Sequence, residues 1–245
     1  MNRILIVGAT SAIAEHYARQ EAEAGSMLFL CGRSRERLRA IAQDLVARGA
    51  AKADFAVLDV LDFDRHEEAI EAAWRSLEGV DVALLAHGTL PDARACATDA
   101  TLALREFNTN ATATILLMDR LAGRFEKKGH GTLAVISSVA GDRGRASNYL
   151  YGSAKAAATA YSSGLRQRFR GTGVHVLTIK PGFVDTPMTA AFRKGALWVE
   201  PHRIATGIRR AIGRRRGVVY LPFFWRPIMA LIRMIPEPVF RRLDL

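Results

Sequence analysis

The sequence predicts one α/β domain built on a doubly wound parallel sheet. Three observations carry that prediction. Short apolar runs alternate with amphipathic stretches of helical length, the runs are apolar nearly throughout, and a glycine turn joins the first run to the first helical stretch. Strands covered by helices on both faces lose the in–out alternation, because neither face meets water.

Taken in order, the runs at residues 4–7, 27–31, 53–58, 82–86, 132–136 and 174–179 are expected as strands, with a short last strand at 218–221. Residues 12–24, 35–48, 64–77, 97–125 and 149–170 hold the 3.6-residue period and are expected as helices. The alternation fills residues 1–222 with no internal repeat and no low-complexity linker. Residues 223–245 depart from it and read as an amphipathic, basic C-terminal extension.

With 245 residues, 49% hydrophobic and 24% charged, the chain has enough apolar material for a packed core, which excludes intrinsic disorder. Cys31 and Cys96 are too few for a disulfide framework or a four-cysteine zinc site, and are expected as reduced thiols in a cytoplasmic protein. The apolar run after Arg3 is too short for a signal peptide, and no transmembrane helix is expected. The charge is uneven. Of a net +11, residues 203–245 carry +8, from ten arginines against Glu237 and Asp244. A basic tail on a nearly balanced body suggests an anionic partner: a membrane surface, a nucleic acid or a phosphorylated substrate. Nucleic acid is least favoured, since no aromatic-interleaved basic patch accompanies the arginines.

The first turn reads Gly8-Ala9-Thr10-Ser11-Ala12-Ile13-Ala14. A tight turn between a strand and a helix aims backbone N–H groups and the helix N-terminus at a pyrophosphate, although the same turn can also serve as plain chain reversal. After the second strand, an acid would accept hydrogen bonds from an adenosine ribose and repel a 2′-phosphate. This chain has Cys31-Gly32-Arg33-Ser34-Arg35 instead. Arg33 can meet a 2′-phosphate with its guanidinium fork and Ser34 can support it, which favours NADPH over NADH. The alternative is an exposed loop arginine.

The strongest local constellation is Ser138, Tyr151 and Lys155. Tyr151-Gly152-Ser153-Ala154-Lys155 sets a phenol and an ammonium one helical turn apart, and Ser138 follows the strand at 132–136. Hydride addition to a carbonyl leaves an alkoxide that must receive a proton. A phenol of pKa about 10 needs roughly 4 kcal/mol of bias to titrate near neutrality. A neighbouring Lys155 cation and an oxidised nicotinamide are expected to supply it, with the Ser138 hydroxyl holding the carbonyl oxygen.

These motifs resemble the classical short-chain dehydrogenase/reductase family over about residues 1–222, and the resemblance implies a Rossmann fold. The Gly8 turn, Asp59-Val60, Ser138, the Tyr151/Lys155 pair and Pro181-Gly182-Phe183-Val184-Asp185-Thr186 stand in family order and spacing. Asn110, in Asn108-Thr109-Asn110-Ala111, matches the family's helix asparagine. The resemblance implies that Asn110 holds a proton-relaying water and that Lys155 binds the nicotinamide ribose. It further implies that Asp59-Val60 meet the adenine, and Val184 and Thr186 the carboxamide and phosphates. Dimers or tetramers through the long helices are implied as well. Two departures stand out. Ala12 and Ala14 replace glycines and are expected to crowd the pyrophosphate. Leu85-Ala86-His87-Gly88 replaces the usual Asn-Asn-Ala-Gly. His87 can contact substrate or form a wall beside the cofactor; the wall is favoured, with no catalytic role.

Residues 187–201 occupy the place of the family's substrate lid, where Phe192, Leu197 and Trp198 would form an apolar roof. Beyond the last strand, a helix beginning near Pro227 would put Ile228, Leu231, Ile232 and Ile235 on one face, and Arg226 and Arg233 on the other with Met229 and Ala230. That pattern suits an interfacial helix, and equally a helix packed on the fold or across a dimer; Arg214-Arg215-Arg216 favours an anionic membrane. The first turn, residues 85–88 and this tail also resemble the reductases that partner decaprenylphosphoryl-ribose oxidases. That likeness implies reduction of a 2-keto sugar carried on a polyprenyl phosphate. Two other readings stay open: a soluble reductase of a keto-acyl or small ketone substrate, and a dinucleotide sensor without catalysis.

Overall fold

The computed structural model describes residues 1–243; residues 244 and 245, the end of the expected C-terminal extension, lie outside the described residues. The strands are β1 (Arg3–Val7), β2 (Met27–Gly32), β3 (Lys52–Val57), β4 (Val82–Leu85), β5 (His130–Ile136), β6 (Gly173–Pro181) and β7 (Val218–Leu221). The helices are α1 (Ala12–Ala22), α2 (Arg35–Ala47), α3 (His66–Ser76), α4 (Ala93–Thr98), α5 (Ala100–Phe107), α6 (Ala113–Lys128), α7 (Tyr149–Arg168), α8 (Pro201–Gly213), α9 (Trp225–Met234) and α10 (Glu237–Phe240).

All seven strands pair in parallel, in the order β3-β2-β1-β4-β5-β6-β7. The chain enters mid-sheet, steps out to β3, then crosses back to lay β4 on the other side of β1. That reversal opens a crevice at the carboxyl ends of the strands. Val7 lies level with both Cys31 and Leu85, so β1, β2 and β4 end together at this crevice.

Successive residues of one strand enter two different cores. Ile4, Ile6, Leu28 and Leu30 pack under α1, α2 and α8, while Leu5, Val7, Phe29 and Cys31 pack under α3, α6 and α7. This double burial is why the strands are apolar throughout.

Three helical expectations need correction. The helix expected over residues 97–125 starts earlier and is broken into α4, α5, a π turn at Asn108–Thr112, and α6. Asp99 makes the first break: its carboxylate accepts the Leu102 N–H at 3.0 Å and starts a new helix. The helix α8 was not identified from sequence, although Pro201 at its start and buried Ile204, Ala205, Ile208 and Ala211 carry the signal.

The third correction concerns α9. Its buried face is Trp225 and Met229 with Ile228 and Ile232, packed against Val139 and Tyr220, whereas Leu231 is 68% exposed. The Trp225 ring occupies the space a side chain on Gly182 would fill. This large side chain at the helix start takes the core position, rotating the buried face away from Leu231 and bringing Met229 in. Arg143 anchors the far end, donating to the carbonyls of Ile232 at 2.8 Å and Ile235 at 2.5 Å. Among the described residues no helix is long and apolar enough to cross a membrane.

Candidate active site

The carboxyl ends of β1, β4, β5 and β6 open into a cavity of about 620 Å³. Its floor is the first turn. Gly8 adopts φ +84°, and a Cβ there would lie 2.4 Å from the backbone nitrogen of His87, so only glycine lets the turn lie against the end of β4. Thr10, Ser11, Ala12 and Ile13 carry the N-terminus of α1 to the cavity. The Ser11 side chain makes no cap bond, and the first N–H groups of a helix have no partner within it. This arrangement fits a pyrophosphate. Ala14 does not crowd it as expected; it is buried in the core beneath the turn, and only Ala12 lines the cavity.

Arg33 lines the outer end, as do Asp59 and Val60. Ser34 does not line the cavity: it caps α2, accepting the Arg37 N–H at 3.3 Å, which corrects its expected place on a phosphate. Arg37 takes that wall instead, held by a 3.2 Å hydrogen bond to the Thr10 carbonyl. Sequence reasoning missed Arg37, although a second arginine in the first turn of α2 was its signal. Ala86, His87, Gly88, Pro181, Gly182, Val184 and Thr186 line the same cavity.

At the inner end, α7 presents Tyr151 and Lys155 on one face, the Lys155 ammonium 5.6 Å from the centre of the Tyr151 ring. Lys155 is buried and donates to the Ile136 carbonyl at 3.2 Å. Ser138 stands two residues beyond Ile136; its oxygen accepts the Ala140 N–H at 3.1 Å, which leaves its own proton free to donate. Burial pulls Lys155 down to about 8 and pushes the Tyr151 phenol up to about 12, with the Ser138 hydroxyl opposing the rise. The phenol therefore moves opposite to the expected direction, because desolvation outweighs the neighbouring groups.

Asn110 sits in the π turn, 1% exposed and away from the cavity lining. Its amide accepts the Thr89 N–H at 3.1 Å and donates to Thr89 Oγ1 at 2.9 Å and the Glu106 carbonyl at 3.0 Å. It thus ties the loop after β4 to the helix break. A side chain on Gly88 would strike Asn110 Oδ1 at 2.8 Å and approach Lys155 Nζ to 3.3 Å, so glycine is what lets these two converge.

His87 is a neutral wall. Burial pulls it down to about 3. Thr114 Oγ1 donates to the Asn110 carbonyl at 3.1 Å, so its 3.0 Å contact with His87 Nε2 has the ring donating. His87 Nδ1 is then a buried acceptor without a partner. An acceptor left open beside this cavity, together with the open donors of α1, fits a dinucleotide carrying hydroxyl groups and phosphates.

Over the inner end lies an aromatic roof. Trp198 stacks on Phe183 at 5.3 Å and meets Phe192 at 6.4 Å, and Phe183 meets Trp225 edge-on at 4.9 Å. Leu197, expected in this roof, is exposed and does not line the cavity.

The solved structure of a polyketide ketoreductase of actinorhodin synthesis, with NADPH, superposes with a TM-score of 0.80 at 22% identity, over 89% of this chain and 95% of that one. An alcohol dehydrogenase of the archaeon Thermococcus sibiricus, with 5-hydroxy-NADP, superposes at 0.77 and 21% identity, over 89% of this chain and 95% of that one. An uncharacterized oxidoreductase of Mycobacterium tuberculosis is 35% identical over 240 residues, covering 98% of this chain and 96% of the relative. The short chain dehydrogenase profile matches residues 2–196. The chain belongs to the short-chain dehydrogenases, a family of NAD(P)-dependent oxidoreductases.

Proposed function

We propose that the protein is an NADPH-dependent carbonyl reductase that works at a membrane surface on a 2-keto sugar carried by a polyprenyl phosphate. The observation that carries the reductase reading is the convergence of Tyr151, Ser138 and Lys155 at the end of β5, in one cavity that also reaches Arg33 and Arg37. Those two arginines and the absence of an acid after β2 support NADPH. Two structural neighbours solved with NADPH or a modified NADP agree with it.

A reduced nicotinamide dinucleotide, when bound, supplies the hydride. Tyr151 donates its proton to the carbonyl oxygen as that oxygen takes up charge, and the free Ser138 proton makes a hydrogen bond to the same oxygen. Lys155 stabilises the phenolate left behind. With the phenol at about 12, Tyr151 is protonated throughout the neutral range and is a ready acid for reduction. The reverse reaction must first ionise it, which burial opposes.

Support for the membrane comes from α9. Leu231 and Met234 are 68% and 78% exposed, with Phe223 just before the helix at 81% and exposed Arg226 and Arg233 alongside. An apolar stripe with arginines at its side suits a surface of anionic lipid. The aromatic contacts from Phe192 through Trp198 and Phe183 to Trp225 join the cavity roof to this helix, a path suited to a prenyl chain.

Four outcomes test this reading. Tyr151→Phe is expected to lower kcat about 10²- to 10⁴-fold with NADPH affinity unchanged, and full retained turnover would remove Tyr151 from the proton path. Because Lys155 loses its charge near pH 8, kcat/KM for reduction is expected to be level in acid and to fall as pH rises through about 8. A level profile to about pH 10 would remove the role of that charge. Arg33→Ala is expected to weaken NADPH about tenfold and leave NADH unchanged, in titrations of protein fluorescence. Finally, the protein should pellet with anionic phospholipid vesicles, and the double variant Leu231→Glu, Met234→Glu should stay in the supernatant. Equal pelleting of both forms would end the membrane reading.

A further inference from the structure

The loop between β5 and α7 brings a further cation to the cavity, one that the proton path does not use. Arg145 lines the cavity together with Ser147 and Asn148, between Ser138 and Tyr151 in the sequence. The charged residues just before it are matched. Asp142 holds Lys180 in a buried ion pair and accepts the Tyr220 hydroxyl at 2.7 Å. Arg143 pairs with Glu237 at 2.8 Å and lies 3.8 Å over the Phe240 ring. Arg145 has no such counterpart. Among the described residues no carboxylate comes within ion-pair distance; its one side-chain contact is a 3.4 Å approach of Nη2 to the sulfur of Met229, and its Nε is buried without a partner.

A half-buried guanidinium that lacks a counterion is unfavourable in the folded protein alone, and burial lowers its pKa accordingly. The planar fork of donors suits a bidentate oxyanion. Asn148 adds a second open group: its Oδ1 is buried without a partner, and a half-turn of the amide would present the NH₂ instead. The roof residues Phe183, Phe192 and Trp198 line the same cavity. The cavity thus combines an unmatched guanidinium, the reacting groups and an apolar cover.

We propose that Arg145 determines substrate specificity by receiving an oxyanion, phosphate or carboxylate, carried by the carbonyl substrate, while the aromatic roof covers an apolar part of the same molecule. This rests on the reductase reading and assigns the residue that receives the anionic group of its substrate. Arg145 positions the substrate and takes no part in proton or hydride transfer.

The test is binding, so that its failure is separable from a failure of reduction. The full-length protein is saturated with NADP⁺, which covers the anion sites at Arg33 and Arg37, and titrated calorimetrically with octyl phosphate, octanoate and 1-octanol. At least one anion is expected to bind about tenfold or more tightly than the alcohol, the worth of one charge-assisted hydrogen bond. Preference for octyl phosphate or for octanoate then identifies the oxyanion. Arg145→Met, which keeps the packing against Met229, is expected to erase the preference, and Arg145→Lys to keep part of it. An unchanged NADP⁺ affinity shows that each variant is folded, and Arg145→Gln serves where Met is not tolerated. Equal binding of the alcohol and both anions would overturn the proposal, as would an anion preference that survives the loss of Arg145, which would place the anion elsewhere, such as at Arg105, which also lines the cavity.

Discussion

A buried ammonium sets the terms for the inner site. Lys155 is 3% exposed and, among the described residues, has no carboxylate at ion-pair distance. Its stabilisation comes from the Ile136 carbonyl and the face of the Tyr151 ring. Each depends on the switch point of the sheet. The end of β5 supplies the carbonyl, α7 supplies the ring one turn away, and the Ser137 hydroxyl fastens the two by donating to the Lys155 carbonyl at 2.9 Å. Gly88 then leaves the room in which Asn110 and Lys155 meet. A carboxylate partner would hold the lysine more firmly, but would neutralise the charge that the departing phenolic proton needs. The fold keeps the charge unpaired and bears the desolvation, which is why Lys155 titrates near 8.

The sheet and the phenol–ammonium pair were legible in the sequence because both follow from short-range rules. Doubly buried strands must be apolar throughout, and residues four apart on a helix must share a face. What was not legible depends on contacts distant in sequence. Ser34 has the chemistry to support a phosphate, yet its cap on α2 takes it out of the cavity and Arg37 stands in its place. The direction of the Tyr151 shift was misread because the charge of a neighbour is visible in a sequence and desolvation is not. The break in the helix at the π turn that holds Asn110, and the hydrogen bonds of Asn110 to Thr89 and Glu106, are not visible in the helical period. Arg145 carries no motif. Its interest comes from Asp142 being committed to Lys180 and Tyr220.

The amphipathic tail shows how periodicity can identify a helix and still misplace its face. Ile228, Leu231, Ile232 and Ile235 form a plausible apolar stripe, but the pattern gives no weight to where the largest side chain can fit. Trp225 lies over Gly182, in space that any side chain there would take, and with Met229 it forms the buried face of α9. The consequence reaches the site, because Trp225 supports Phe183 and Phe183 supports Trp198 in the roof. The helix that holds the roof is also the one that exposes Leu231 and Met234.

The basic surplus of residues 203–245 is therefore divided between two places in the structure. Arg209 pairs with the buried carboxylate of Glu21 at 3.2 Å, and Arg215 donates to the Gly173 carbonyl at 3.2 Å. Gly173 opens β6 and Arg214-Arg215-Arg216 precedes β7, so this cluster stands at the amino ends of the strands, opposite the cavity. It cannot share one flat surface with Arg226 and Arg233 on α9, which lies beside the carboxyl ends over Gly182. Net charge alone would treat the ten arginines as one attraction. The geometry leaves the membrane reading to the few residues that combine exposed apolar area with charge beside the cavity: Phe223, Leu231 and Met234, with the two arginines of α9.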